Sequence, residues 1–344
     1  MATTDDGTRT TFLGEVKSAV TPHASLLVLG VLGLVIAFIT SYTGAFHHPA
    51  PADVPLGVVA PAQARAQLVD KLDRLPGSPL DPRALPSERA ARQQLADRTI
   101  DGALIVNPRG STDRLLVASG GGASLAQAVE LVVRSAEKAG HRSVRTVDVA
   151  PAAAGDSRSL SSFYLVVGWC VGGYLCAAIL AISAGARPSN GHRAVIRLAA
   201  LAVYALAAGL AGAIIVGPVL GALPGTFFGL WGLGALTVFA VGATTLACQA
   251  LLGILGIGLA ILLIVILGNP SAGGAYPYPL LPPFWRAIGP ALPPGAGTWT
   301  ARSLAYFRGN AITGPLLVLA AWAAGGILLT LTLSVFRKKG ESPP

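Results

Sequence analysis

The chain has 344 residues, of which 53% are hydrophobic and only 12% are charged, and it carries a net charge of +9. Soluble domains carry roughly 25% charged residues, so an ordinary soluble protein is excluded and an α-helical polytopic membrane protein is predicted. The basic excess is not a nucleic-acid footprint, because residues 47–160 balance fourteen Lys/Arg against twelve Asp/Glu and the surplus falls in short segments beside apolar runs, where it fits attraction to a membrane surface.

Residues 1–24 form an N-terminal segment predicted to be cytoplasmic, with Thr10–Val20 able to form a short helix. Residues 25–46 follow as the first apolar span. A helix needs ~20 apolar residues to cross the hydrocarbon core, and Ser25–Phe46 meets this. It is longer than a signal-peptide core, so it is predicted to be an uncleaved anchor.

Residues 47–160 are predicted to be an extracytoplasmic α/β domain. Val54–Ala60 reads as a strand and Ala62–Leu75 as a helix, with Pro76–Pro86 as a turn-rich stretch. Ser87 is positioned to cap a helix running to about Thr99. Ala103–Val106, Arg114–Ala118 and Ser143–Val149 read as strands, and Ser124–Ala139, stopped by Gly140, as a helix presenting Leu125, Val129, Val132 and Val133 on one face. Strands alternating with helices predict a mixed sheet covered by helices. Gly120–Gly122 lacks the Lys-Ser/Thr tail of a phosphate loop and reads as a flexible turn; Pro151–Arg158 reads as a linker.

Residues 161–336 are predicted to be a five-helix transmembrane domain. Its spans are Phe163–Ser183, Leu198–Leu220, two antiparallel helices within Phe228–Leu267 broken near Cys248–Gly253, and Leu316–Phe336, giving six in all. Gly168 and Gly172 form a GxxxG pair, a candidate helix-packing face. Residues 268–315 contain seven aromatics and two Pro-Pro steps, and are predicted to form an outer interfacial hairpin with short helices at Phe284–Ile288 and Thr300–Phe307. Trp285, Trp299 and Arg302 are its candidate functional residues. The 184–197 loop, with Arg187, His192, Arg193 and Arg197 and no acid, and the 337–344 tail, with Arg337, Lys338 and Lys339, predict cytoplasmic termini in the cell membrane.

Chemistry-bearing motifs are scarce. No Asp or Glu lies in any predicted span, so proton-coupled transport lacks the buried acid it generally uses. Cys170, Cys176 and Cys248 fall inside apolar spans and read as packing residues. His47, His48 and His141 lack metal-ligand spacing, and neither a Walker A sequence nor GxSxG is present. The expectation is a non-enzyme with no catalytic residues, no cofactor and no metal. An Arg-rich, Gly-rich composition fits a bacterial high-GC genome.

The order of elements resembles that of the ABC type-2 exporter permeases, and is closest to the YhgE/Pip-like membrane proteins. The likeness rests on LGVVAP at Leu56–Pro61, DGALIVNP at Asp101–Pro108, FYLVVGWCVGGYL at Phe163–Leu175 and LPPFWRAIGPALPPGAGTWTARSLAYFRGN at Leu281–Asn310. It implies a half-transporter that pairs as a homodimer or heterodimer in the lipid bilayer and meets a separate ATP-binding subunit at the 184–197 loop, through Arg187, His192, Arg193 and Arg197. That loop is short and acid-free, with little room for a coupling helix. Two functions are therefore expected in competition. One is a permease subunit exporting hydrophobic or amphipathic cargo. The other is a non-transporting envelope protein whose outer domain binds a secretion component, a phage or a cell-wall factor.

Overall fold

The computed structural model describes residues 21–185 and 190–340; the predicted Thr10–Val20 helix and Arg187 lie outside them. Among the described residues the chain is mostly helical, with five helices long and apolar enough to cross a membrane and one small mixed sheet.

The long helices are α1 (Pro22–Phe46), α5 (Ser161–Ala184), α6 (Gly191–Ile214, continued by a π-helical turn to Val219), α7 (Phe227–Leu252) and α11 (Thr313–Gly340). The sixth expected span is shorter. It is the apolar helix α8, Leu255–Ser271, whose 17 residues rise about 25 Å. It departs from α7 at Gly253, whose φ of +63° is open to glycine and strained for other residues. The expected break near Cys248–Gly253 is thus found, but the helix after it lacks the length of a standard crossing. A second correction concerns α6, which begins at Gly191 rather than Leu198 because Asn190 caps it: the Asn190 side-chain oxygen accepts the Arg193 amide at 2.9 Å.

Pairwise contacts set the relative directions of α1, α5, α6, α7 and α8. Leu34 lies beside Gly258, and the Ser41 hydroxyl donates to the Ile266 carbonyl at 2.5 Å, so α1 and α8 run the same way. Trp169 faces Gly234 and the Gln249 amide reaches the Ala177 carbonyl at 3.3 Å, so α5 and α7 are parallel, while Trp169 packs on Gly212 and Gly172 faces Tyr204, so α6 is antiparallel to both. α7 is the central helix: most of it is buried, including Thr237, Thr244, Thr245 and Gln249. It packs α5, α6 and α11 at glycine contacts, Gly173 and Gly209 being pressed against its backbone and its own Ala243 against Gly326. Small side chains allow such approach. α1, in contrast, buries only 6% of its apolar window.

The sheet domain follows α1. Its strands are β1 (Val54–Val59), β2 (Leu80–Ala84), β3 (Gly102–Ile105), β4 (Thr112–Val117) and β5 (Ser143–Asp148), in the order β2-β1-β3-β4-β5. Only the β3–β4 pair is antiparallel, with Gly102 opposite Val117; the other three pairs are parallel. β2 corrects the reading of Pro76–Pro86 as turn. A strand with Pro82 is tolerated there because β2 is an edge, paired on one side to β1. The period-two alternation splits the core between two faces. Leu56, Val58, Leu104 and Leu115 point toward helices α2 (Ala62–Asp73) and α4 (Ala123–Ala139); Ala103, Ile105 and Leu116 point toward α3 (Glu88–Ala96). Ser87 caps α3 as expected, accepting the Ala90 amide at 3.2 Å, although α3 stops at Ala96, short of Thr99.

The segment between α8 and α11 holds α9 (Pro283–Ile288) and α10 (Pro293–Tyr306). α10 starts seven residues before the expected Thr300, since paired prolines at 293 and 294 supply first-turn positions where a missing N–H costs nothing. This hairpin lies between the sheet domain and one end of the helix bundle.

Candidate functional site at the junction of sheet and hairpin

Sheet topology brings three chain segments to one edge. β1 and β3 are parallel, so the residues preceding them, Asp53 and Asp101, lie at the same end, with the Asp101 amide bonded to the Pro55 carbonyl at 2.9 Å. β4 is antiparallel to β3 and delivers its own C-terminal end there, followed by Gly120–Gly122. These glycines are a docking plane rather than a flexible turn. Gly120 lies under the Tyr306 ring, Gly121 faces Phe307, and Gly122, at φ +148°, abuts Pro277; a β-carbon at Gly122 has neither the space nor the backbone conformation it needs.

Against this edge the hairpin closes a cavity of about 270 Å³. Three guanidiniums (Arg98, Arg286, Arg302) and two carboxylates (Asp53, Asp101) line it, with Tyr278 and Trp299 forming an aromatic wall. Arg98 follows α3 in a left-handed conformation, φ +56°. It donates to the Trp299 carbonyl (2.9 Å) and the Ser303 hydroxyl (2.8 Å), and its guanidinium carbon lies 3.5 Å from the Trp299 ring centroid, a cation–π contact. Trp299 in turn stacks on Tyr278, with centroids 6.1 Å apart and planes at 13°.

Arg302 is 3% exposed. It donates to three carbonyls, Gly273 (2.6 Å), Gly274 (2.6 Å) and Ser159 (2.9 Å). This ties the hairpin both to the end of α8 and to the segment before α5. The predicted linker does more than connect: Asp156 accepts the Leu160 and Ser161 amides (2.9 and 2.8 Å), capping α5, and takes the Tyr306 hydroxyl at 2.7 Å. Arg286 pairs with Asp53 at 3.1 Å and donates to the Ala52 carbonyl at 2.9 Å.

Electrostatics follow from burial. Burial pushes the Arg98 guanidinium down to about 9, reinforced by the like charge of Arg302, and pushes Arg302 down to about 10; both remain cationic near neutrality. Burial pushes the Asp101 carboxyl up to about 6, with Arg98 opposing the rise, and raises the Tyr278 phenol above its usual value.

Tyr278 and Trp299 also face away from the cavity, where with Pro290, Ala296, Ala311 and Pro315 they line an apolar pocket of about 450 Å³. Trp322, whose indole N–H donates to the Ala291 carbonyl at 2.8 Å, stands beyond it. It borders a third space, an apolar groove of about 440 Å³ between α7, α8 and α11 lined by Thr244, Leu251, Leu263 and Leu329.

Of the hairpin residues expected from sequence, the structure brings Trp299 and Arg302 together and sets Trp285 apart. Trp285 packs on Gly44, and its indole N–H donates to the Ser41 hydroxyl at 3.3 Å, holding α1. Gly168 is exposed with no atom within reach of a β-carbon, and Gly172 faces the Tyr204 hydroxyl, so the intimate helix packing uses Gly173, Gly209 and Gly326 instead. In the 184–197 region His192 and Arg193 are exposed on the first turn of α6, whereas Arg197 is buried and donates to the Gly185 carbonyl at 2.7 Å. Arg98, Asp101, Tyr278 and Arg286 were not singled out from sequence; they belong to no spacing motif and meet only through the sheet topology. Among the described residues no three His, Cys, Asp or Glu gather as a metal set.

Comparison with protein-family models, curated proteins and solved structures yields no match.

Proposed function

We propose that this chain is a six-span membrane subunit that moves an amphipathic compound, with a separate ATP-hydrolysing subunit as its power source. The observation that carries this reading is the sharing of one aromatic wall: Tyr278 and Trp299 have a charged cavity on one side and an apolar pocket on the other. A molecule with a polar head and an apolar tail meets both requirements at that wall. Spans without carboxylates add support, because transport driven by an external ATPase needs no titratable acid at membrane depth. So does the alternation of helix direction, which leaves the sheet domain and hairpin at one end of the bundle and His192 and Arg193 at the other. In this reading α8 crosses as a short helix, the domain is extracytoplasmic, and both termini are cytoplasmic. The element order that resembles the ABC type-2 permeases fits the same reading.

The test is purification from the native host in mild detergent, followed by reconstitution. The expected outcome is a copurifying ATPase subunit, reduced by R193E, and ATP-dependent movement of an amphiphile in proteoliposomes. Repeated recovery without any ATPase, together with inert proteoliposomes, overturns it. A second reading, partner binding by the outer domain, is favoured by the two sheet edges, β2 and β5, since edge strands can accept a further strand. It requires that removing the domain abolish function while R193E leaves it intact.

A further inference from the structure

We propose that the cavity enclosed by Arg98, Arg286 and Arg302 binds the oxyanion headgroup of an amphiphile whose tail occupies the apolar pocket behind Tyr278 and Trp299. The inference rests on the amphiphile reading above and adds the sign and chemistry of the head.

Three observations support it. The first is the charge balance. Three guanidiniums against two carboxylates leave one positive charge in a half-enclosed space. Asp53 is engaged by Arg286, and among the described residues neither Arg98 nor Arg302 has a carboxylate within 4.0 Å. Asp101 and Asp156 act on these two guanidiniums only from beyond ion-pair distance; buried charge without a close partner is costly, and an anion relieves it. The second is an unused donor. Arg302 spends its terminal nitrogens on backbone carbonyls, yet its Nε is buried with no hydrogen-bond partner. Buried donors are ordinarily paired, and a guanidinium edge suits an oxyanion. The third is preorganisation. Arg98 is held by two hydrogen bonds and the Trp299 ring before any ligand arrives, so little side-chain entropy remains to be lost on binding.

Size selects the headgroup rather than the whole molecule. The cavity, at about 270 Å³, lies below the common range for ligand pockets, ~300–1,000 Å³, and holds a head but no chain. The adjoining pocket, about 450 Å³ and lined mainly by apolar side chains, takes the chain. Asp101 restrains the site: as a carboxylate it opposes an incoming anion.

The experiment uses the full chain in phosphatidylcholine nanodiscs, with binding followed by native mass spectrometry and thermal shift. The probes are phosphatidic acid, inorganic phosphate and added phosphatidylcholine. Phosphatidic acid is expected to bind most tightly, with R98Q weakening it about tenfold. Because Arg98 and Arg302 also brace the hairpin, the deciding variant is D101N, which removes a repelling charge and is expected to tighten binding about threefold; no loss of structure produces that gain. Equal binding of phosphatidic acid and phosphatidylcholine, with D101N silent, overturns the oxyanion site and leaves the amphiphile reading standing. Inorganic phosphate binding as tightly as phosphatidic acid keeps the anion site and overturns the amphiphile reading.

Discussion

Asp113 and Glu137 are two buried acids beside one arginine, and their environments set them apart. Arg142 makes a bidentate pair with Asp113 (2.6 Å to each oxygen) and also reaches the Asn107 and Gly110 carbonyls at 3.0 Å. Burial alone raises the Asp113 carboxyl, but Arg142 and the Asn107 amide outweigh it and hold the group below its usual value. Glu137 is raised, first by burial and then by Asp113. Truncating Arg142 leaves Asp113 charged and buried, so R142A is expected to cost about 3–5 kcal/mol, read as a lowered melting temperature of the full chain in detergent. A raised acid stabilises the fold fully below its unfolded value, 4.5 for Glu137, and loses that contribution as pH rises through the folded value. E137Q is therefore expected to flatten the decline in melting temperature as pH increases from 4.5. The same sign holds at Asp101: between 3.8 and about 6 its protonated form favours the fold, and above that range D101N should melt higher than wild type.

At the scale of elements, stability depends on where backbones touch. Gly122 combines a left-handed φ with contact against Pro277. G122A is expected to lift the hairpin from the sheet edge, at a cost of about 1–3 kcal/mol, seen as faster hydrogen exchange across residues 276–307 with the helix bundle unchanged. Gly256 is pressed against the Cys248 and Gln249 backbone, which is what folds α8 back along α7. G256V overpacks that contact by about 1–3 kcal/mol and should loosen α8, measured by exchange at residues 255–271. Trp285 has a comparable role for α1, which is anchored near the sheet end by Ser41, Tyr42, the Gly44 contact and the Phe46 ring against Tyr276. W285A should free the end of α1, raising spin-label mobility at its last turn while leaving the sheet domain folded.

For the whole molecule, the alternating helix directions yield a sharp topological expectation. If all six helices cross, a cysteine placed at exposed Ser78 labels only from outside and one at exposed His192 only from inside, with Cys170, Cys176 and Cys248 replaced. Labelling of both from one side removes the six-span reading and the extracytoplasmic domain with it. The balance of forces differs between the two halves. The sheet domain buries apolar side chains on both faces of its sheet, as a water-soluble unit does. The helix bundle leaves many large apolar side chains exposed, along α1 above all, as expected where lipid is the solvent.

Local chemistry written in the sequence accounts for a good deal. Apolar runs marked the long helices because their length and lack of charge leave few alternatives. Period-two and helical patterns located β1, β3, β4, β5, α2 and α4, and Ser87 announced the start of α3. Three features were decided by tertiary structure. β2 forms despite its proline because a neighbour, β1, supplies the pairing on one side. α8 is too short for a standard crossing because α7 takes Phe227–Leu252 of the long apolar run before Gly253 turns the chain. The charged cavity joins residues from Asp53, just before β1, to Arg302 in α10, about 250 positions apart. No local pattern encodes such a meeting, because it depends on two strands ending at one edge and a hairpin closing over them.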